Sequence, residues 1–326
     1  MFDTAASASL ITSIPALLGF VPDRSLILLP IAGGALGTVM RVDLDGHTAE
    51  VSGRLAAVAA DHEADSAIVV IVDLHSGNHT DLVDALAAAL TLRGIRVLGA
   101  LGVDDIIGGG RWHCLDDCGA GGTLDDPAGS VMAAAAVLDG RKLYRNRGEM
   151  EALVAQDPAT VERVRAALAA GSAPTDPREA VESAIAVART LAMGAVPSVD
   201  EIVSTATALL DNQVRDMLLA FALTDESHAA EDFWAMVARS VPSPWRVEAL
   251  ALLAVYAYVR ADGPLAGIAL EAALQDDPWH SLASMLDCAL QTGMQPSDIR
   301  SLAVVGYRVA REAGVNLPGQ LVEKTA

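Results

Sequence analysis

Cysteine is scarce in this chain. Only Cys114, Cys118 and Cys288 occur among 326 residues, too few and odd in number for a disulfide framework, so the sequence reads as that of a protein from a reducing compartment. Aromatic residues make up only 4%. The core must therefore rest on aliphatic side chains and alanine, whose small size favours helix and close helix packing. Basic residues are outnumbered, 22 against 42 acidic, and the resulting charge of −20 divides evenly between residues 1–156 and the remainder. That acidic coat argues against duplex nucleic acid or an anionic membrane as a partner, because gripping phosphates takes a basic face. Long hydrophobic runs are missing too. The longest uninterrupted apolar stretch, Ala249 to Val259 between Glu248 and Arg260, is too short to span a bilayer. The opening Met-Phe-Asp-Thr carries no positive charge, and Pro15 and Gly19 interrupt the apolar residues behind it, so no signal peptide is expected. The expectation is a cytoplasmic protein.

What is present is enough apolar material for two cores: 52% of the chain is hydrophobic, and the length suits two domains better than one. In the first half, residues 10–18 read as a helix stopped by Gly19. Leu26–Ile31 and Leu36–Leu44 read as strands joined by a hairpin at Gly33-Gly34. Helical spacing covers Ala49–Ala60 and Thr80–Leu92, while Ala67–Asp73 and Ile95–Val103 are continuous apolar runs of the kind that form strands buried on both faces. A Gly- and Asp-rich loop over 104–127 holds a short strand at Arg111–Cys114, and 129–138 is helical again. Strand and helix alternate, so crossover connections and a partly parallel, mixed sheet are expected.

From Asn146 onward the punctuation is helical. Asn146 with Glu149 and Ser198 with Glu201 have capping-box spacing, and Asp157-Pro158, Asp176-Pro177 and Ser243-Pro244 place a capping residue before proline. Gly171, Gly194, Gly263, Gly293 and Gly314 fall where helices should stop. About seven helices are predicted between 158 and 314, paired as helical hairpins. Leu250, Leu253, Ala254, Ala257, Ala266, Leu270, Ala273 and Pro278 match the spacing of one 34-residue tetratricopeptide unit. The fold class expected is an α/β domain over 1–150, a mixed sheet with packed helices, followed by an all-helical domain over 151–326 that is tetratricopeptide-like in part. The halves should meet within 140–157.

Three groups of residues have chemistry to offer. Asp73, His75, His79 and Asp81 follow the central buried strand, at the sheet edge where open α/β folds bind ligands. Carboxylate and imidazole suit a divalent metal, although a turn at 76–78 and polar residues opening a helix account for the same pattern. Cys114 and Cys118, with His113 and Asp116-Asp117 beside them, supply up to three zinc ligands. Their spacing departs from the usual knuckle, so a metal site, a redox-labile pair and two inert thiols all remain open, and Cys288 sits at a core-facing helical position. Arg141, Lys142, Arg145 and Arg147 form the only dense basic stretch, an anion grip or a solvated loop flank. Gly108-Gly109-Gly110 lacks the Lys-Ser/Thr ending of a phosphate loop. Arg215-Asp216 and Trp245-Arg246 are expected to pair on helix surfaces.

Three segments resemble an actinobacterial family known as domain of unknown function 4192. They are Ile14-Pro15-Ala16-Leu17-Leu18-Gly19-Phe20-Val21-Pro22-Asp23-Arg24-Ser25-Leu26 with Arg41-Val42-Asp43-Leu44; Gly110-Arg111-Trp112-His113-Cys114 leading through Cys118 and Gly122-Thr123 to Arg147; and 257–274 with Asp277-Pro278 and Ser281-Leu282-Ala283. The family pattern has a richer cysteine cluster after the tryptophan, ending Cys-Cys-Pro. Here only Cys114 and Cys118 stand, followed by Gly119. The resemblance implies that any redox or metal role of that cluster is partly lost. It implies no activity.

Two functions follow as expectations. One is a non-enzymatic protein whose helical half contacts a protein partner or a second copy and whose α/β half is structural or binds a small ligand. The other is a metal-assisted or small-molecule enzyme with its site near Asp73, His75 and His79. No particular cofactor is implied.

Overall fold

The computed structural model describes residues 4–44, 48–74, 79–116, 118–138, 140–171 and 176–318. The chain divides into two compact units, Met1–Glu149 and Met150–Ala326. The first is an α/β unit with a mixed seven-stranded sheet, and the second is helical. No helix among the described residues is long and apolar enough to cross a membrane.

The α/β unit runs α1 (Thr4–Leu18), β1 (Ser25–Ala32), β2 (Ala35–Leu36), β3 (Met40–Asp43), α2 (Thr48–Asp61), β4 (Ser66–Val72), α3 (Thr80–Thr91), β5 (Arg96–Val103), β6 (Arg111–Cys114), β7 (Gly121–Thr123) and α4 (Val131–Leu138). Gly33 and Gly34 form the predicted hairpin turn: both have positive φ, and Ala32 pairs with Ala35 across them, as a two-residue turn matched to strand twist requires. The single strand expected over Leu36–Leu44 is two. Pro30 has no N–H to offer a neighbour, and its carbonyl accepts from the Gly37 N–H at 2.8 Å. The chain bends there and rejoins β1 only from Met40, opposite Leu28.

The sheet order is β2-β1-β4-β5-β6-β7, with β3 also on β1. Among the described strands only β4 and β5 pair in parallel, with α3 between them in sequence, and the other strand pairs are antiparallel. Alternation places Leu26, Leu28, Ala67, Val69, Ile71 and Ala100 on one face, where Leu55 and Ala59 of α2 and Leu86 and Leu90 of α3 bury them. Each fully buried aliphatic side chain contributes about 1.5–3 kcal/mol. Arg41 donates to Ser25 Oγ at 2.8 Å, pairs with Asp43 at 2.6 Å and lies over the Phe20 ring, so it ties β3 to the start of β1.

α5 (Arg147–Glu151) spans the division between the units. The helical unit continues with α6 (Pro158–Ala169), α7 (Pro177–Ala192), α8 (Val199–Ala208), α9 (Asn212–Phe221), α10 (Ser227–Ser240), α11 (Trp245–Val259), α12 (Gly263–Asp276), α13 (Ser281–Gln291) and α14 (Pro296–Glu312). Among the described residues that is nine helices from Pro158 on, against about seven expected, because short turns divide 199–240 into three. Asp157, Asp176 and Ser198 cap as predicted. Ser243 does not: its hydroxyl donates to Asp276 at 2.6 Å, and α11 opens at Trp245 without a side-chain cap. Gly263 opens α12 instead of ending α11, and Ala261 takes the left-handed conformation that stops the chain. α11 is buried over nearly its whole circumference, which makes it the central helix of the unit. α10 and α12 both pack against it.

Two expectations in this unit fail. Arg246 is not a surface residue but 8% exposed, donating to Asp276 at 2.8 Å and to the Val154 carbonyl at 3.0 Å. Cys288 is exposed on α13, because Ala283, Leu286 and Ala289 form that helix's buried stripe.

Candidate functional site

The parallel pairing of β4 and β5 decides where the chemistry gathers. Val72 stands opposite Val103, so both strands end together and deliver Asp73 and Asp104 side by side at their carboxyl edge. The Asp73 N–H donates to the Val103 carbonyl at 3.0 Å. The chain returns at His79, the N-cap position of α3. His79 makes no cap bond, because its ring turns to Asp73: Nε2 lies 2.7 Å from Oδ2, with both side chains largely shielded. A carboxylate only accepts, so the ring turns an N–H at Nε2 toward Asp73. The pair is an imidazole whose orientation is fixed by a carboxylate.

The pair lines a cleft of about 630 Å³. Thr80, Val83 and Asp84 of α3 border it on one side, and His113, Leu115 and Asp116 on the other. His113 reaches it for a reason of register. It pairs with Gly102 across β5 and β6, and a Cβ at 102 would stand 2.8 Å from His113 Cε1. Any larger residue at 102 would collide with the imidazole where it stands. Asp104 and Arg111, which also line the cleft, clasp the loop between them. Asp104 Oδ1 accepts the N–H groups of Asp105 and Arg111 at 2.7 and 2.6 Å. Gly108, Gly109 and Gly110 form the turn inside that clasp. Gly109 has positive φ, and a Cβ on Gly110 would stand 2.1 Å from the Asp105 carbonyl oxygen, so these glycines serve a tight loop.

The candidates from the sequence fall in three places. Asp73 and His79 meet, Asp81 is exposed on the first turn of α3, and His75 lies outside the described residues. Cys114 closes β6 and is buried, whereas Cys118 is exposed in the loop that leads to β7. Arg141, Lys142 and Arg145 follow α4 on a segment that touches residues 19–21 through Tyr144, and Arg147 opens α5. Among the described residues, no three His, Cys, Asp or Glu side chains form a metal-binding group. Asp84, Asp104 and Arg111 line the cleft without having stood among the candidates, and His113, expected beside the cysteines, lines it too. The signal for Asp104 was present, since two buried apolar runs joined by one helix end at Asp73 and Val103, directly before it. His113 needed the β5–β6 register.

No curated protein and no solved structure matches the chain. One family model does, over residues 8–297, which takes in the α/β unit and most of the helical one. The chain belongs to the family described as domain of unknown function 4192.

Proposed function

We propose that the α/β unit is a small-molecule-binding module whose site is the cleft at the carboxyl ends of β4 and β5. The observation that carries this reading is the Asp73–His79 pair, hydrogen-bonded at 2.7 Å and lining a cleft of about 630 Å³. That volume suits a ligand of metabolite size, and the position is the one where open α/β sheets bind. Asp73, Asp84, Asp104 and Asp116 outnumber Arg111 among the cleft's fixed charges, which favours a ligand carrying a cationic group beside hydrogen-bonding groups. The test is a thermal-shift panel of amino acids, polyamines, aminosugars and nucleosides against the intact protein, Asp73→Asn and His79→Ala. The expected result is a compound class that raises the melting temperature of the intact protein and of neither variant. A panel that stabilises all three equally, or none, contradicts the reading.

A second reading concerns the helical unit. Trp279 is 91% exposed, next to a helix pair, α11 and α12, with tetratricopeptide spacing. A bare tryptophan supports a protein contact, with a partner or a second copy. Sedimentation of the intact chain and Trp279→Ser tests self-association. A concentration-dependent mass that the substitution abolishes supports it, and an identical monomer mass for both removes it.

A further inference from the structure

The charges that line the cleft differ in how far the protein already uses them. Three of its carboxylates are committed. Asp73 Oδ2 meets the His79 ring at 2.7 Å, Asp104 Oδ1 accepts the Asp105 and Arg111 N–H groups, and Asp116 Oδ2 accepts the Ala100 N–H at 2.9 Å. Asp84 differs: it is exposed on α3, and among the described residues its side chain has no hydrogen-bond or ion-pair partner. Arg111 is its counterpart on β6. The backbone of Arg111 is held on both sides, exchanging bonds with Asp104 at 2.6 and 3.0 Å and pairing with Thr123 on β7. Its guanidinium, among the described residues, has no partner at all. Arg41, Arg215, Arg246 and Arg260 each pair with a carboxylate, so an uncommitted arginine in a cleft with four carboxylates stands apart. His113, two positions on, alternates to the same face of β6 and also lines the cleft.

We infer that the cleft takes a zwitterion of the amino-acid class, its carboxylate held by Arg111 with His113 beside it, and its ammonium group by Asp84. This rests on the binding role proposed above for the cleft and narrows it. A guanidinium presents parallel N–H donors that fit the two oxygens of a carboxylate, and the imidazole of His113 offers a further N–H to the same end of the ligand. An ammonium group brings three donors to an acceptor-only carboxylate, which is what Asp84 supplies from α3. A ligand with both groups meets an uncommitted charge of opposite sign at each end. A polyamine or an aminosugar meets only one, and it sets a cation in the cleft that Arg111 repels. The committed carboxylates keep the cleft negative, so a simple carboxylic acid without an amine is disfavoured as well.

The experiment is isothermal titration calorimetry of the full chain with matched pairs that differ only in the carboxyl group: arginine and agmatine, ornithine and putrescine, histidine and histamine, phenylalanine and phenethylamine. At least one amino acid should bind about ten- to a hundredfold more tightly than its amine, the worth of a charged hydrogen-bonded contact. Arg111→Gln keeps the backbone bonds of β6 and should bring that amino acid down to the affinity of its amine, while the amine binds as before. Arg111→Lys should keep part of the advantage, and Asp84→Asn should weaken both members of the pair. Equal affinities within every pair, or a loss in Arg111→Gln that is the same for amine and amino acid, overturns the inference; amine binding that Asp73→Asn abolishes would then leave the binding role of the cleft standing. If no compound of the set binds, the inference falls, and the nucleosides and aminosugars of the wider panel decide whether the binding role falls with it.

Discussion

The cleft depends on two residues whose roles are complementary, Gly102 and His113. A methyl group at 102 would collide with the imidazole at 2.8 Å, and the ring is a side-chain end that can swing away. Gly102→Ala should therefore cost about 1–3 kcal/mol while the ring resists, and His113→Ala on the same background should recover part of that loss. Urea titration of both single variants and the double variant measures the coupling. Additive losses would contradict the packing described. None of this was legible at residue 102, where a glycine in a strand reads only as a weak point. Asp73 was legible, since a carboxylate directly after a buried run such as Ala67–Val72 lies at a sheet edge by construction. His79 was legible beside it, since a helix was expected from Thr80, but which polar group of that stretch bonds Asp73 was not.

At the scale of the element, the helices were read through their caps and lost where a distant partner overrides the local signal. Asp157, Asp176 and Ser198 bond within their own first turns, so local sequence sufficed. Ser243 and Arg246 both turn to Asp276 on α12, some thirty positions away, which no local pattern carries. Arg246→Ala removes the cation and leaves the Val154 carbonyl and Asp276 without it; a loss of about 3 kcal/mol in urea stability is expected, and a loss under about 1 kcal/mol would show the pair to be incidental. α14 reaches α9 through Gly306, where a Cβ would stand 2.2 Å from the Asp216 carbonyl oxygen. Gly306→Ala should push the two helices apart at a cost of about 1–3 kcal/mol, whereas the same exchange at Gly263, where the nearest atom would be 3.7 Å away, should be far milder. Thermal melts of the two variants side by side separate these outcomes.

Across the whole molecule, acid should act on the helical unit through Glu248. Burial raises this carboxyl, but the hydrogen bond and charge of His280, together with Arg215, outweigh burial and hold it below its ordinary 4.5. A carboxyl depressed by folding stabilises the fold above its unfolded value and loses that contribution as pH falls through the lower folded one. Urea midpoints of the intact protein should drop below about pH 4.5 more steeply than those of Glu248→Gln; parallel curves would contradict the assignment. The broad plan, a mixed α/β sheet followed by helices, was legible from periodicity because each unit's elements lie in order along the chain. The charge of −20 was equally plain, yet it pointed only away from phosphates and said nothing of where the cleft lies.

The cleft is the centre of the binding role proposed for the α/β unit. The direct measurement is a titration of histidine-labelled protein with the stabilising compound class, followed by the ring resonances in NMR. His79 and His113 should move together and saturate with the same dissociation constant, His228 and His280 of the helical unit should stay in place, and Asp73→Asn should abolish the response. Movement confined to His228 or His280, or an unchanged titration in Asp73→Asn, would contradict it.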